Sequence, residues 1–387
     1  MERAKEVGLR KVVGAYKAQL IFQFFTEALV VNLVAAFIAL VIAQLVEPVF
    51  NQLIGTKVIT EIWKDPSFLG KLALFFAIGT VVSGFYPAIV LSRYRPVETL
   101  KGSFRNSRSG TVLRKGLVVV QFAASIILVA GTLIIQKQVN YMLGKDLGIT
   151  TDQVVTFTIP SVYDEETAGR SDQFKEALLT HSAIQDIGRT SNVPGGKADD
   201  INSTTTEIRI VGMSEHLAGT TYLQFVDDRF MPSVEMELIT GRNFERDRAS
   251  DSSAFLANEA FVRRFNVETG EALNQQIQFG NQEEHYTLIG IVKDFNRTSL
   301  KTDVEPTLYV PALYTSNFVM KANLDGMDEA LLHLEQTWDQ FYPEMPLDYA
   351  FLDDRFASLY MEDQRFGNLF FYFSIFTILI ALLGLFG

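Results

Sequence analysis

The chain has 387 residues, is 48% hydrophobic and only 20% charged, and carries a net charge of −11. Cysteine is absent, so a disulfide framework and thiolate chemistry are excluded, and the acidic balance argues against a nucleic-acid-binding surface. Its apolar residues gather into four blocks instead of amphipathic stripes, the pattern of a membrane protein and not of a soluble one with two or three domains.

In chain order, Met1–Lys17 is charged and too polar for a signal peptide. Residues 1–19 hold Arg3, Lys5, Arg10, Lys11 and Lys17 against Glu2 and Glu6. The first apolar block is Ala28–Val46, and Glu27, Asn32 and Gln44 are the polar positions on its helix. Charge inside a span is costly and is often functional. Glu27 lies near the cytoplasmic end, where a structural role beside headgroups or a basic neighbour competes with a substrate or proton path.

The second block, Leu72–Leu91, contains SGFYPA (83–88), where Gly84 and Pro87 predict a kink or break and a candidate membrane pivot. Residues 92–116 follow, with seven Lys and Arg against Glu98 alone. The third block, Leu117–Ile135, has Gln121, Ser125 and Thr132 as its only polar side chains. It is close to the ~20 residues a helix needs to cross a bilayer. Ser125 has no base within sequence reach, so a bond to a backbone carbonyl or helix packing is its expected role. The fourth block is Leu369–Phe386.

Lys and Arg concentrate on the cytoplasmic side of membrane proteins. The predicted layout is therefore a cytoplasmic segment (1–19), a span (20–46), an external loop (47–67), a second span (68–91) and a basic cytoplasmic loop (92–116). A third span (117–136), an outer domain (137–365) and a last span (366–387) complete it. The segment 141–365 holds 38 Asp and Glu against 18 Lys and Arg, which suits solubility, with a cationic ligand as the sharper alternative.

The outer segment alternates strand and helix patterns, which predicts an α+β domain. Strands are expected at Val154–Ile159, Thr204–Val211, Thr221–Val226, Gln276–Phe279, Tyr286–Val292, Phe318–Ala322 and Leu347–Phe351. Helices are expected at Ser171–Ile184 with Ser171 as N-cap, at Ala257–Phe265 and at Met327–Phe341. Asp353 or Asp354 would cap a helix running from Arg355 into the last span. Gly195–Asn202 reads as a polar loop.

No GxxxxGK[ST], HExxH or CxxC occurs, so no ATPase site, metal centre or catalytic constellation is predicted. His181, His216, His285 and His333 are scattered, and Glu283-Glu284-His285 reads as a solvated hairpin tip, since one His beside two carboxylates does not complete a metal site.

Residues 3–15, RAKEVGLRKVVGA, are basic and amphipathic and lie directly before a membrane helix; headgroup binding alone would account for that. Yet the Glu6-Val7-Gly8, Arg10-Lys11 and Gly14-Ala15 pattern resembles the cytoplasmic signature of FtsX-like ABC transporter permeases of the MacB type. SGFYPAIVLSRYRPVETLKG (83–102), LRKGLVVVQF (113–122), KDLGI (145–149), LITGRNF (238–244), FLANEAFVRRF (255–265) and IGIVKDFNRTSL (289–300) extend the resemblance in order. It is strongest to the long permeases common in Bacteroidetes-like bacteria.

The resemblance implies four transmembrane helices with a MacB-like periplasmic core domain, in a multi-pass protein of the bacterial inner membrane. It implies that residues 3–15 form a coupling helix. Glu6, Arg10 and Lys11 would offer charge to a separate ABC ATPase subunit, which binds the ATP, and Gly8 and Gly14 would allow close packing. Expected partners are that ATPase, a second permease half or chain, membrane lipid and a periplasmic adaptor; no cofactor of its own is expected. The implied function is mechanotransmission, with efflux, export or lipoprotein handling as outputs. Regulation of cell-wall hydrolases, a membrane-anchored sensor and a periplasmic enzyme are the alternatives. Family members place a membrane helix before the coupling segment and continue past the last apolar run, so an internal fragment is also expected.

Overall fold

The computed structural model describes residues 10, 13–55, 65–93, 108–196, 204–205, 208–211, 220–264, 272–279, 284–312 and 314–386. These residues form two compact units, Met1–Ile135 with Arg365–Gly387, and Gln136–Gln364.

The first unit is helical. It holds α1 (Lys17–Ile54), α2 (Pro66–Arg93), most of α3 (Arg108–Gly144) and most of α9 (Met361–Phe386). Three stretches are long and apolar enough to span a bilayer among the described residues: Ala18–Ile54, Lys115–Gly144 and Met361–Gly384. The second apolar block lies on α2, where Pro66–Val81 is a shorter apolar helix. Phe37, Leu45, Ile126, Ile127 and Leu383 turn outward, as expected of side chains solvated by hydrocarbon.

The second unit is α+β. In chain order it contains β1 (Val154–Thr158), α4 (Glu165–Leu179), β2 (Ile184–Thr190), β3 (Thr204–Thr205), β4 (Ile208–Ile210), β5 (Thr221–Val226) and α5 (Phe230–Ser233). Then come β6 (Leu238–Gly241), β7 (Ala254–Asn258), α6 (Glu259–Arg264), β8 (Gln276–Phe279), β9 (His285–Val292) and β10 (Thr307–Pro311). β11 (Asn317–Ala322), α7 (Met327–Phe341), β12 (Tyr349–Phe351) and α8 (Leu352–Ser358) complete it.

One mixed sheet runs β12-β1-β11-β2-β5-β10-β7-β9-β8-β4, with β3 on β5 and β6 on β9. The β10–β5 and β7–β9 pairs are parallel and the others antiparallel. The two halves of the sheet meet at β2 and β5, whose ladder is the single pair Thr190↔Val226.

Strand alternation serves two faces. On β1 and β11, Val155, Phe157, Phe318 and Met320 point toward α4 and α7, while Val154 and Val319 enter a core with α5 and α8. Under α4 and α7, Phe157 stacks on Phe318 at 5.2 Å, and Phe174 meets both edge-on. Trp338 is 1% exposed and donates its indole N–H to Met345 O at 2.8 Å. The other half has its own core, in which Phe261 and Val262 of α6 pack with Phe255, Ile277 and Ile291.

Several sequence expectations shift here. The helix expected to begin at Ser171 begins at Glu165, because Asp164 accepts the Thr167 N–H at 2.9 Å and caps it. Those Thr167 hydrogen bonds hold the Asp164 carboxyl below its usual range. Ser171 is wholly buried inside α4, where its hydroxyl accepts from Arg189. The same helix stops at Leu179, and Ile184 opens strand β2. Ala257–Phe265 divides into the end of β7 and helix α6. Asp353 and Asp354 lie in the first turn of α8, while Phe351 takes the cap position with φ −70° and ψ 142°. α8 ends at Ser358 and α9 starts at Met361, so no single helix runs from Arg355 into the span.

LITGRNF (238–244) serves as a structural joint. Gly241 has φ +82°, and a Cβ there would lie 2.2 Å from Ile289 O. Arg242 forks onto Asp251 at 2.7 and 2.5 Å, and Asp251 also accepts the Glu245 N–H at 2.9 Å. The guanidinium, against a carboxyl only 6% exposed, holds Asp251 below the usual carboxylate range despite burial. A carboxylate with a lowered folded pKa stabilises above its unfolded pKa and loses that stabilisation as pH falls through the folded value. Arg242→Leu strands the Asp251 charge and is expected to cost about 2 kcal/mol, discounted for the partly exposed guanidinium. In urea unfolding across pH, the gap to wild type should be full above about pH 4 and close as pH drops below that.

Candidate functional site

The candidate site is the charged turn leading into α1, together with the contacts that α1 makes inside the membrane unit. Glu6, Gly8 and Lys11 lie outside the described residues, whereas Arg10 and Gly14 are described. The Ala15 N–H donates to Arg10 O at 3.0 Å, and Gly14, with φ +101°, turns the chain into α1. Gln19 Oε1 accepts the Tyr16 N–H at 3.1 Å and so satisfies one donor at the start of the helix.

The Arg10 guanidinium reaches Gln23 Oε1 on α1. Gln23 Nε2 in turn donates to Glu27 Oε1 at 3.1 Å. A guanidinium, an amide and a carboxylate thus form one line from the basic turn into the apolar helix. Glu27 gains its polar partner one turn back along its own helix, which lowers the cost of a carboxylate at this depth.

α1 packs on α2 through small and polar residues. Asn32 Nδ2 donates to Ser83 Oγ at 2.9 Å and to Ala28 O at 2.8 Å. One turn nearer the N-terminus of α1, a Cβ on Gly84 would stand 3.1 Å from Ala28 Cβ and 3.4 Å from Phe25 Cδ2. The helix runs from Pro66 to Arg93 through Gly84 and Pro87 without a break. Gly84 serves there as the point where two helices approach.

α3 and α9 meet in the same manner. Thr132 Oγ1 and Ser374 Oγ are 3.2 Å apart and buried, and each also has a carbonyl of its own helix within reach, so one hydroxyl donates across the pair while the other donates to its own helix. Ser125 donates to Gln121 O at 2.9 Å. An apolar cavity of about 360 Å³ lies beside it, lined by Phe122, Ile126, Val129, Ile378 and Ala381 among others.

The outer domain assembles charge that the sequence does not bring together. Asp227 holds Lys175 at 2.6 Å, and Arg189 bridges Asp227 at 3.4 Å and Asp172 at 2.8 Å. Arg246 joins Asp172 at 3.0 Å and Glu176 at 3.4 Å. This network floors a cleft of about 760 Å³ between α4 and the 244–252 segment. His181 and His333, far apart in sequence, stack at 4.9 Å, and His333 Nε2 bonds to Ala177 O. His285 pairs with Gln278 in the β8–β9 hairpin, while Glu283 lies outside the described residues. No metal-binding cluster occurs among the described residues. Nothing in the spacing of these residues announces the network; Asp172, Lys175 and Glu176 on one helical face are the only signal.

Hydrocarbon-length helices tied by buried hydroxyls and a carboxamide, continuing into an α+β domain, define a multi-helix membrane protein. Residues 1–96, about a quarter of the chain, match the FtsX-like permease C-terminal family, so this region is similar to FtsX-like permeases. The chain is 31% identical over 100 residues to the macrolide export ATP-binding/permease protein MacB of Rhodopirellula baltica, covering 26% of this chain and 14% of that one. It is 28% identical over 100 residues to the ABC transporter permease YvrN of Bacillus subtilis, covering 26% and 24%. The chain therefore spans between a seventh and a quarter of the length of these relatives. Among solved structures, the periplasmic region of MacB from Actinobacillus actinomycetemcomitans aligns with TM-score 0.37 and 15% identity, covering 55% of this chain and 94% of that one. The extracellular domain of the transporter YknZ from Gram-positive bacteria aligns with TM-score 0.35 and 12% identity, covering 51% and 97%.

Gly84→Leu is expected to force α1 and α2 apart and to cost about 1–3 kcal/mol. Asn32→Leu should cost less, about 0.6 kcal/mol, the average for an interhelical hydrogen bond. Thermal unfolding in mild detergent checks the order; equal or absent effects would show that these contacts do not hold the pair.

Proposed function

We propose that this chain is part of the membrane-spanning permease of an ABC transporter and that it passes on the work of a separate cytoplasmic ATPase. Energy from ATP hydrolysis would enter at residues 3–15 and emerge as movement of the 137–365 domain on the periplasmic side of the inner membrane. The observation that carries this reading is the family match over residues 1–96, which includes the basic turn.

The geometry supports it physically. A push on the turn meets Arg10, passes to Gln23 and Glu27, and so reaches the body of α1 without a flexible spacer. α1 hands the displacement to α2 at Asn32–Ser83 and at Gly84, where packing is too close for slippage. Such a device needs no catalytic group of its own. Macrolide export is stated of the MacB relatives and is one candidate output here; lipids, peptides and lipoproteins are others. The ATPase, a second permease half, a periplasmic adaptor and surrounding lipid remain the proposed partners.

Copurification of the full-length protein from native membranes should recover a Walker-motif ATPase in stoichiometric amount. Recovery of a kinase, or of no partner, would favour the sensor alternative. In the reconstituted pair, Arg10→Glu with Lys11→Glu is expected to lower transport-linked ATP hydrolysis about tenfold, the equivalent of ~1.4 kcal/mol of lost coupling. Undiminished hydrolysis in that double variant would remove residues 3–15 from the coupling path.

A further inference from the structure

One strip of chain in the outer domain touches both of the connections that lead to α3 and α9, and the α3 connection is held a second time where Thr150 bonds Val234 O and Glu235. α3 ends at Gly144 and leads into Lys145–Ile149; α8 ends at Ser358, and Tyr360 precedes α9. Both connections converge on the residues that follow β9, KDFNRTSLK (293–301).

On the incoming side, the Asn296 N–H donates to Leu147 O at 3.0 Å. Gly148 has φ +86°, and a Cβ there would lie 2.5 Å from Asp294 O and 3.1 Å from Phe295 Cα, so backbone lies against backbone. On the outgoing side, the Leu300 N–H donates to the Tyr360 hydroxyl at 2.8 Å, and the Tyr360 ring is 1% exposed. Lys301 Nζ holds Asp363 in the first turn of α9 at 2.6 Å. Between these ends, Phe295 is 4% exposed in a core that includes Ile149 from one connection and Leu352 and Phe356 from the other.

The strip is itself fixed to the sheet. Asp294 accepts the Ala260 N–H at 2.8 Å and pairs with Arg263 at 2.5 Å, while its own N–H donates to Glu259. Lys293 donates its N–H to Glu237 O at 2.9 Å. Arg297 pairs with Glu305 at 2.8 Å and lies over the Tyr222 ring at 4.8 Å.

We infer that Lys293–Lys301 is a common seat for both membrane connections, a place in the sheet that displacement of either helix reaches. A shared seat couples the two connections: loosening one end of the strip is transmitted to the other. The functional meaning rests on the permease reading above, but the mechanical linkage does not.

The test is hydrogen exchange measured by mass spectrometry on the full-length protein in detergent. Tyr360→Phe removes one acceptor and should speed exchange of the Leu300 amide about fivefold, as expected for loss of one net hydrogen bond. A shared seat requires that the same variant also speed exchange at 145–150, and that Gly148→Val speed exchange at 300–301 and 360–364. Lys301→Ala, a milder surface change, should loosen both ends in the same sense if Gly148→Val fails to fold. Variants that loosen only their own end would overturn the inference. The ATPase copurification fails or succeeds separately: without an ATPase partner the transporter reading falls, and cross-loosening still decides the seat.

Discussion

Hydrocarbon offers no hydrogen-bonding partner, and the first unit is organised around that constraint. Every polar side chain whose contacts are described within its helices is answered from inside the protein. Thr132, Ser374 and Ser125 each have a carbonyl of their own helix within reach, and Asn32 divides its two donors between Ala28 O and Ser83. The same groups can also hold helices together: Thr132 and Ser374 meet across α3 and α9, where one hydroxyl donates to the other and the second donates to its own helix. The Arg10–Gln23–Glu27 line is a charged case of the same rule: the carboxylate near the membrane end of α1 is answered by an amide, and the amide by a guanidinium.

The outer domain solves the opposite problem. Surrounded by water, it can carry an excess of acid on its surface, yet it also buries Lys175 and Asp227 against each other. An uncompensated charge at either position would be strongly destabilising, so the pair constrains α4 to one position over β2 and β5. Arg189 extends that constraint: its backbone N–H and its Nε both reach Asp227, and its head group reaches Asp172 on α4. Because the β2–β5 ladder is a single residue pair, these ionic contacts and the shared core around Phe230 do much to join the two halves of the sheet.

The apolar blocks were legible because membrane length is a one-dimensional property: a run of uncharged residues shows itself without any knowledge of partners. The strands Val154–Thr158, Thr221–Val226 and Asn317–Ala322 and the helix Met327–Phe341 were legible for a related reason, as each carries its own periodicity. Helix α4 was misplaced at both ends. Its N-terminus depends on Asp164 outcompeting Ser171 as cap, and its C-terminus on Ile184 pairing with Ala322 across the sheet. Neither fact is local. The strands Thr307–Pro311 and Leu238–Gly241 were missed because their partners β5, β7 and β9 are distant in sequence and their own pattern is short. Of the candidate site, the charge of the basic turn was visible, whereas the bond from Arg10 to Gln23 requires the turn at Gly14 to fold the chain back.

The motifs that carried the family resemblance in the outer domain turn out to share a physical character. LITGRNF supplies a left-handed glycine against β9 and a guanidinium for a buried carboxylate. FLANEAFVRRF joins β7 to α6, and Asn258 Oδ1 accepts from both Phe261 and Thr307, so one side chain fixes the helix start and the neighbouring strand. IGIVKDFNRTSL runs out of β9 into the strip that meets both membrane connections. Among the described residues, each of these motifs sets an angle or a close approach between elements. Under the permease reading proposed above, such joints would matter because a loosened joint dissipates motion before it arrives. The 760 Å³ cleft, by contrast, is walled by side chains outside these motifs apart from Phe244.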